Sequence, residues 1–381
     1  MNKKTKKDFL WIILFLIVFI NGFEAGGYQA SLWTIGKDFD LSMTSMGLYA
    51  AMELFATMLA PILLGGWADR SEKNKCISLM LIIQISAAVL AFLTTSNNIF
   101  LVSVFFLGLT TSALQFISIA ALADAYPISG GKKVAYITTM YASGALVAPL
   151  VVDFYLRHNL GWRTLFAILA AGSILTLTGI VLSGSGKREA NAASDSSQSS
   201  GDVFVLSGIL LLGVIMCIYV GFENGFTFFV DTLFTDVLKS SGGKFALSLF
   251  WAVMIPSRFL VGRFSGHAKK ILIGAIVAIP CTMLPLSASA NPAVVMLLCV
   301  PLGLASGAIY PSVLTIMLPL AGKRTATATG IITSATGIGG VVFTAMTGYM
   351  ADLWGMRFAM LALVSFFAIS LLAALIVTRK A

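Results

Sequence analysis

Long apolar runs, each about 20 residues and separated by short polar punctuation, recur from one end of the chain to the other. A helix of that length crosses roughly 30 Å of hydrocarbon. Lipid offers no partner for open backbone groups, so spanning runs of this kind must be helical. The period-two alternation that a lipid-facing barrel needs is not seen. The pattern predicts twelve spans, near residues 9–35, 43–66, 76–95, 98–126, 132–156, 161–182, 203–229, 244–265, 269–288, 292–319, 325–351 and 355–377. The first run follows a basic start, as a signal peptide would. It continues well past 20 residues and feeds a second hairpin, so it is read as the first helix.

Composition fits an all-α membrane protein. Only 11% of the 381 residues are charged and 58% are hydrophobic, whereas a water-soluble domain carries roughly 25% charged residues. A surface so short of charge must face lipid. The net charge of +9 follows topology rather than nucleic-acid binding. Eighteen of the 25 Lys and Arg fall on the side that holds the N-terminus, six fall on the other, and Arg258 lies inside a span. The positive-inside rule then places both termini in the cytoplasm, as an even helix count requires. The four cysteines, Cys76, Cys217, Cys281 and Cys299, have neither metal nor redox spacing and read as small apolar residues. There is no metal motif, phosphate loop or hydrolase motif, so no cofactor is expected.

The one long loop, SGSGKREANAASDSSQSSGD from Ser183 to Asp202, is too poor in apolar side chains to fold and is expected to be a flexible cytoplasmic tether. It splits the spans into bundles at 1–182 and 203–381. Short matches recur between them: Gly22-Phe23-Glu24 with Gly221-Phe222-Glu223, Gly65 with Gly262, Leu107-Gly108-Leu109 with Leu302-Gly303-Leu304, and Gly161-Trp162-Arg163 with Gly355-Met356-Arg357. Their offsets drift only from 199 to 194. Ordered matches with so steady an offset indicate a duplicated six-helix unit.

The stretch Gly65-Gly66-Trp67-Ala68-Asp69-Arg70-Ser71-Glu72-Lys73-Asn74-Lys75 resembles the loop between helices two and three that marks the major facilitator superfamily. Glu72 stands where the family's second Gly is usual. Gly161-Trp162-Arg163-Thr164-Leu165-Phe166 looks like the family's entry into helix six, and Gly303, Gly307, Pro311, Gly337–Gly340 and Gly348 resemble helices ten and eleven of sugar- and drug-handling members. The resemblance covers essentially the whole chain. It implies two pseudo-symmetric six-helix bundles, a monomer, and alternating access around a cavity lined by helices one, four, seven and ten. The expected setting is the inner membrane.

The loop suggests a latch. Gly65 would let helix two approach a neighbour closely. Asp69 would accept from the N-terminus of helix eleven near Thr325, Lys73 would pair with Asp124, and Arg70 completes the loop. A solvated basic loop that only sets topology is the alternative.

Acidic side chains inside the bilayer need a reason, since each costs at least about 2.5–3.5 kcal/mol at mid-membrane. Glu24 lies 13 residues from Trp11 and Glu53 lies 14 from Trp67, which puts both about 20 Å inside an interfacial Trp. Asn21, Glu24 and Tyr28 share one helical face, as do Thr111, Gln115 and Ser118, and Glu223, Thr227 and Asp231. With no cation expected at this depth, Glu24 is predicted to bind the coupling proton, with Glu53 or Glu223 as partner. Arg258, five residues before Arg263, is expected to snorkel to the cytoplasmic interface. Asp153 and Asp231 fall nearer the outer ends, where solvated, gate-side and cavity roles are all open.

The expected function is secondary active transport of a small neutral or cationic organic solute, coupled to protons. An acidic site without a deep Arg or Lys argues against anions. Asn21, Tyr28, Gln115, Asn224, Thr227 and Tyr310 supply polar and aromatic contacts, while Glu24 and Glu223 suit cations. Proton-driven multidrug efflux is the second reading. It draws on Gly144-Ala145-Leu146-Val147-Ala148-Pro149, a partial antiporter pattern, although Val104 stands where drug antiporters usually carry an Arg. A membrane-embedded enzyme or sensor fits poorly: His158 and His267 lie in opposite loops, and the spans leave no residues for a soluble output domain.

Overall fold

The computed structural model describes residues 3–125, 130–183, 204–322 and 325–380. Within these the chain is helical: α1 (Lys3–Asp38), α2 (Met43–Arg70), α3 (Lys73–Leu93), α4 (Asn97–Ala125), α5 (Gly130–Arg157), α6 (Thr164–Ser183), α7 (Leu206–Thr232), α8 (Gly243–Arg263), α9 (Ala268–Ala288), α10 (Pro292–Ala321), α11 (Thr325–Trp354), α12 (Met356–Ser365) and α13 (Phe367–Lys380). The last two form one span broken at Phe366. Among the described residues, twelve segments are long and apolar enough to cross a membrane, as the hydrophobic runs predict. The tether lies almost wholly outside the described residues.

Helix ends follow local chemistry. Pro292 opens α10 and the Asn291 side chain accepts from the Ala293 N–H at 2.9 Å, using a donor that the first turn would otherwise leave unmet. At the end of α2, Lys73 Nζ donates to the Ala68 carbonyl at 2.5 Å, a cation on the negative pole of the helix. At its start the Asp352 carboxylate accepts from the N–H groups of Met43 (3.0 Å) and Thr44 (2.7 Å).

Backbone contacts group Met1–Ser31 with Met52–Ser196 in one unit, and Leu32–Ala51 with Ser197–Ala381 in a second. In the first unit α3 packs on α4 and α6. A core of side chains including Ile17, Leu81, Leu114, Ile117 and Ile180 fills it. In the second, α7 packs on α11 and α13, and α10 on α8 and α9.

Internal contacts recur between the units. Arg163 donates to the Thr94 carbonyl at 3.2 Å and Arg357 to the Ala288 carbonyl at 3.3 Å, both partners being shifted by 194 positions. Gly108 of α4 lies against the backbone of Glu53 in α2, and Gly303 of α10 against the backbone of Phe250 in α8. A Cβ at either glycine would run into a carbonyl of the neighbouring helix. Gly65 does not behave as expected. Among the described residues nothing lies within 4 Å of the place its Cβ would take, because the last turns of α2 enter the core along the Ala60, Leu64 and Ala68 stripe, which Gly65 is not on.

Candidate functional site

The first unit holds a buried polar cluster built from five helices. Asn21 and Glu24 come from α1, Glu53 from α2, Gln84 from α3, Thr111 from α4 and Ser173 from α6, and each is at most 4% exposed. Asn21 Nδ2 donates to the Thr111 carbonyl at 3.0 Å, and Thr111 Oγ1 donates to Glu24 Oε2 at 3.2 Å. Gln84 Nε2 reaches both Asn21 Oδ1 and Thr111 Oγ1 at 3.4 Å, while Ser173 Oγ donates to Gln84 Oε1 at 3.0 Å. The Glu53 carboxyl faces that of Glu24 electrostatically. Its Oε2 has no hydrogen-bond partner among the described residues. No ion pair reaches either carboxyl among the described residues.

The packing of α4 on α2 explains why Glu53 is so deep, since Gly108 lets the two backbones touch at that residue. One turn along, Thr57 Oγ1 donates to the Gly108 carbonyl at 3.2 Å, reinforcing the crossing. Tyr28 is buried on the Asn21–Glu24 face at 1% exposure. Gln115 is half-buried and Ser118 buried. The sequence reading missed Gln84 and Ser173. Gln84 carried a usable signal, a lone amide in the apolar run of α3, where a polar group demands a partner. Ser173 carried none, because a serine in a membrane helix satisfies itself on the preceding turn as readily as it bonds a neighbour.

The second unit holds a cluster of opposite character. Arg258 of α8 does not snorkel. Its guanidinium faces Glu223 and Tyr219 of α7 and Tyr310 of α10. Arg258 lies four residues after Met254, on the buried stripe of α8, so it points into the unit despite its nearness to Arg263. Counting residues to a helix end gives depth; only the helix face gives direction. Its Nε–H has no hydrogen-bond partner among the described residues. Glu223 therefore has a cation in its electrostatic surroundings, though no ion pair joins them among the described residues, whereas Glu24 and Glu53 have none.

Asp231 also departs from expectation. It is 2% exposed and its Oδ2 accepts from Lys244 Nζ at 2.7 Å, which ties α7 to α8 across the loop between them. It is a buried ion pair and not a solvated group. Asp153 pairs with Arg157 one turn on, at 2.8 Å on a largely exposed face. The Asn224 amide donates to the Val220 carbonyl of its own helix at 2.9 Å, and Thr227 is fully buried with its hydroxyl on the Asn224 carbonyl at 3.4 Å. Tyr310 is 41% exposed and is the most open member of this set.

Of the loop residues, Arg70 is exposed and Lys73 is engaged with α2. The side chains of Asp69, Asp124 and Thr325 lie outside the described residues, so the latch contacts do too. Among the described residues, no group of His, Cys, Asp and Glu is arranged to hold a metal.

Curated relatives match over part of their length. A stretch of 157 residues, 40% of this chain and 37% of the relative, is 26% identical to the multidrug resistance protein MdtM of Salmonella typhimurium. Another of 177 residues, 46% of this chain and 40% of the relative, is 20% identical to the glucose transporter GlcP of Staphylococcus epidermidis. The chain thus spans about two fifths of the length of these relatives. Solved structures match throughout. A bacterial homolog of the human lysosomal transporter Spinster, in an inward-facing conformation, superposes with a TM-score of 0.79 at 17% identity, covering 98% of this chain and 97% of that one. The nucleoside transporter NupG gives 0.75 at 15% identity with both chains fully covered. The human organic anion transporter MFSD10 gives 0.68 at 14%, covering 97% and 99%. The sequence model of the Major Facilitator Superfamily matches residues 14–344. With twelve apolar helices, neighbours that are transporters and a family match over most of its length, the chain belongs to the Major Facilitator Superfamily of membrane transporters and is not an enzyme.

Proposed function

We propose that this chain moves a small polar organic solute across the membrane by alternating access, and that Glu24, with Glu53 as partner, carries the driving proton. The observation behind this reading is a pair of buried carboxyls that feel each other's charge and have no ion-pair partner among the described residues. Two like charges that deep do not both ionise, so the pair holds a proton and exchanges it. Glu223 is a weaker candidate because Arg258 offsets its charge. A proton moving down 100 mV releases about 2.3 kcal/mol, enough for a solute gradient of roughly 40-fold.

Arg258 widens the range of solutes the second unit could hold. The sequence-based case against anions rested on an acidic site without a deep cation, and that premise is gone. The likeness to a multidrug resistance protein favours a drug and the likeness to a glucose transporter favours a sugar, while Val104, a buried apolar residue of α4, counts against the drug reading. The recurrence of the Arg163 contact at Arg357 supports a duplicated unit, with bundles at 1–182 and 203–381.

The test begins with a thermal-shift screen of purified protein against sugars, nucleosides, amino acids, organic anions and cationic dyes. The hit is then followed in proteoliposomes. Glu24→Gln is expected to keep solute exchange and lose accumulation driven by protons entering down a 100 mV potential, from as much as about 40-fold down to equal concentrations. Full gradient-driven accumulation in Glu24→Gln would end this reading.

A further inference from the structure

We propose that Gln84 and Ser173, on two helices that carry no acidic member of the cluster, are positioning residues that fix which oxygen of Glu24 exchanges its proton. The inference rests on Glu24 being the coupling site. It follows from the direction of each hydrogen bond, anchored at one atom that has no choice.

The Thr111 carbonyl can only accept, so the Asn21 amide nitrogen must face it, as observed at 3.0 Å. Asn21 Oδ1 is then turned toward Gln84 and needs a donor there. The Gln84 amide nitrogen supplies it, at 3.4 Å, and lies equally close to Thr111 Oγ1. Turning that amide round would set two carbonyl oxygens against each other. Gln84 Oε1 consequently points to α6, where Ser173 donates to it at 3.0 Å. Because Thr111 Oγ1 accepts from Gln84, its single hydrogen is available for Glu24 Oε2, the 3.2 Å contact. Oε2 is thereby committed as an acceptor, and Oε1 is left as the atom on which the proton is gained and lost. A hydroxyl has one hydrogen and an amide has two distinct ends, so the whole chain has one consistent setting.

Burial sharpens the effect. Gln84 and Ser173 are both 0% exposed, and an unmet amide there costs far more than in water. Among the described residues, the charged group that acts on Glu24 is Glu53 of α2, and Tyr28 lies one turn along on the same helical face. The α3, α4 and α6 helices present the uncharged Gln84, Thr111 and Ser173, and α5 brings the Tyr141 backbone against α1 at Gly22. Burial acts first on the proton affinity of Glu24, and Glu53 and this donor chain then tune it.

The experiment needs no substrate. The carboxylic-acid carbonyl band of purified protein in lipid is followed by infrared difference spectroscopy across a pH titration, and the Glu24 band is identified as the one lost in Glu24→Gln. Gln84→Leu and Ser173→Ala are each expected to displace its midpoint by at least about half a pH unit and to move its frequency, as the Thr111 hydroxyl is freed to turn away. Ser173 acts only through Gln84, so the double variant should match Gln84→Leu alone. Ser173→Ala removes one buried oxygen and keeps the assay interpretable should Gln84→Leu melt below working temperature. Midpoints and frequencies that coincide with wild type in Ser173→Ala would overturn the inference and leave the coupling role of Glu24 standing. A titration in which Glu24→Gln removes no band would overturn both.

Discussion

Asp231 and Glu24 are both carboxylates on apolar helices, yet one has a lysine at 2.7 Å and the other a threonine hydroxyl. That difference separates a charge neutralised by an ion pair from the carboxyl proposed to carry the proton. Taking one member from a buried ion pair strands the other, at a cost of about 3–5 kcal/mol, whereas replacing both with apolar groups is often neutral. Lys244→Met should therefore lower the melting temperature sharply, and adding Asp231→Leu should restore most of the loss; thermal unfolding of the purified variants reads both. Neither this pair nor Arg258–Glu223 was legible in the sequence. Asp231 and Lys244 sit at opposite ends of a loop whose length hides their proximity, because α7 runs on through a wide helical turn at Leu233–Val237 before the chain reverses. Glu24 and Glu53 were legible, since a carboxyl amid apolar residues is visible without any knowledge of its neighbours.

At the scale of helices, close approach is set by single atoms. Gly108 has no room for a side chain against the Glu53 carbonyl, so Gly108→Leu should force α4 from α2 and cost at least about 1–3 kcal/mol. The same substitution at Gly65, which faces open space, should leave the melting temperature almost unchanged. A thermal-melt comparison of the two checks this. The sequence singles out Gly65 for close packing and shows Gly108 only as part of a repeat, whereas the structure puts the close approach at Gly108. Helix ends tell a similar story. Asp352 binds the first N–H groups of α2, so Asp352→Asn should weaken that end by about 1 kcal/mol or less, the carboxylate being exposed. Hydrogen exchange at Met43 and Thr44 should rise, with the middle of α2 unaffected.

For the molecule as a whole, charge placement argues that both ends of the chain lie in the cytoplasm. Green fluorescent protein fused at the C-terminus should fluoresce and alkaline phosphatase fused there should stay inactive, with the pattern reversed for fusions in the 38–43 loop between α1 and α2. Active phosphatase at the C-terminus would contradict the orientation drawn from Lys and Arg.

The sequence by itself determined the number of spans, their approximate limits, the family, and the burial of Glu24 and Glu53. Each of these depends on the cost of placing a group in hydrocarbon, and that cost is paid locally, residue by residue. The tertiary structure decided which charges are neutralised, which glycine meets a neighbouring backbone, and which uncharged side chains hold Glu24. These depend on contacts up to about 90 positions apart. Apolar periodicity is nearly uniform around a lipid-embedded helix and does not reveal which face turns inward.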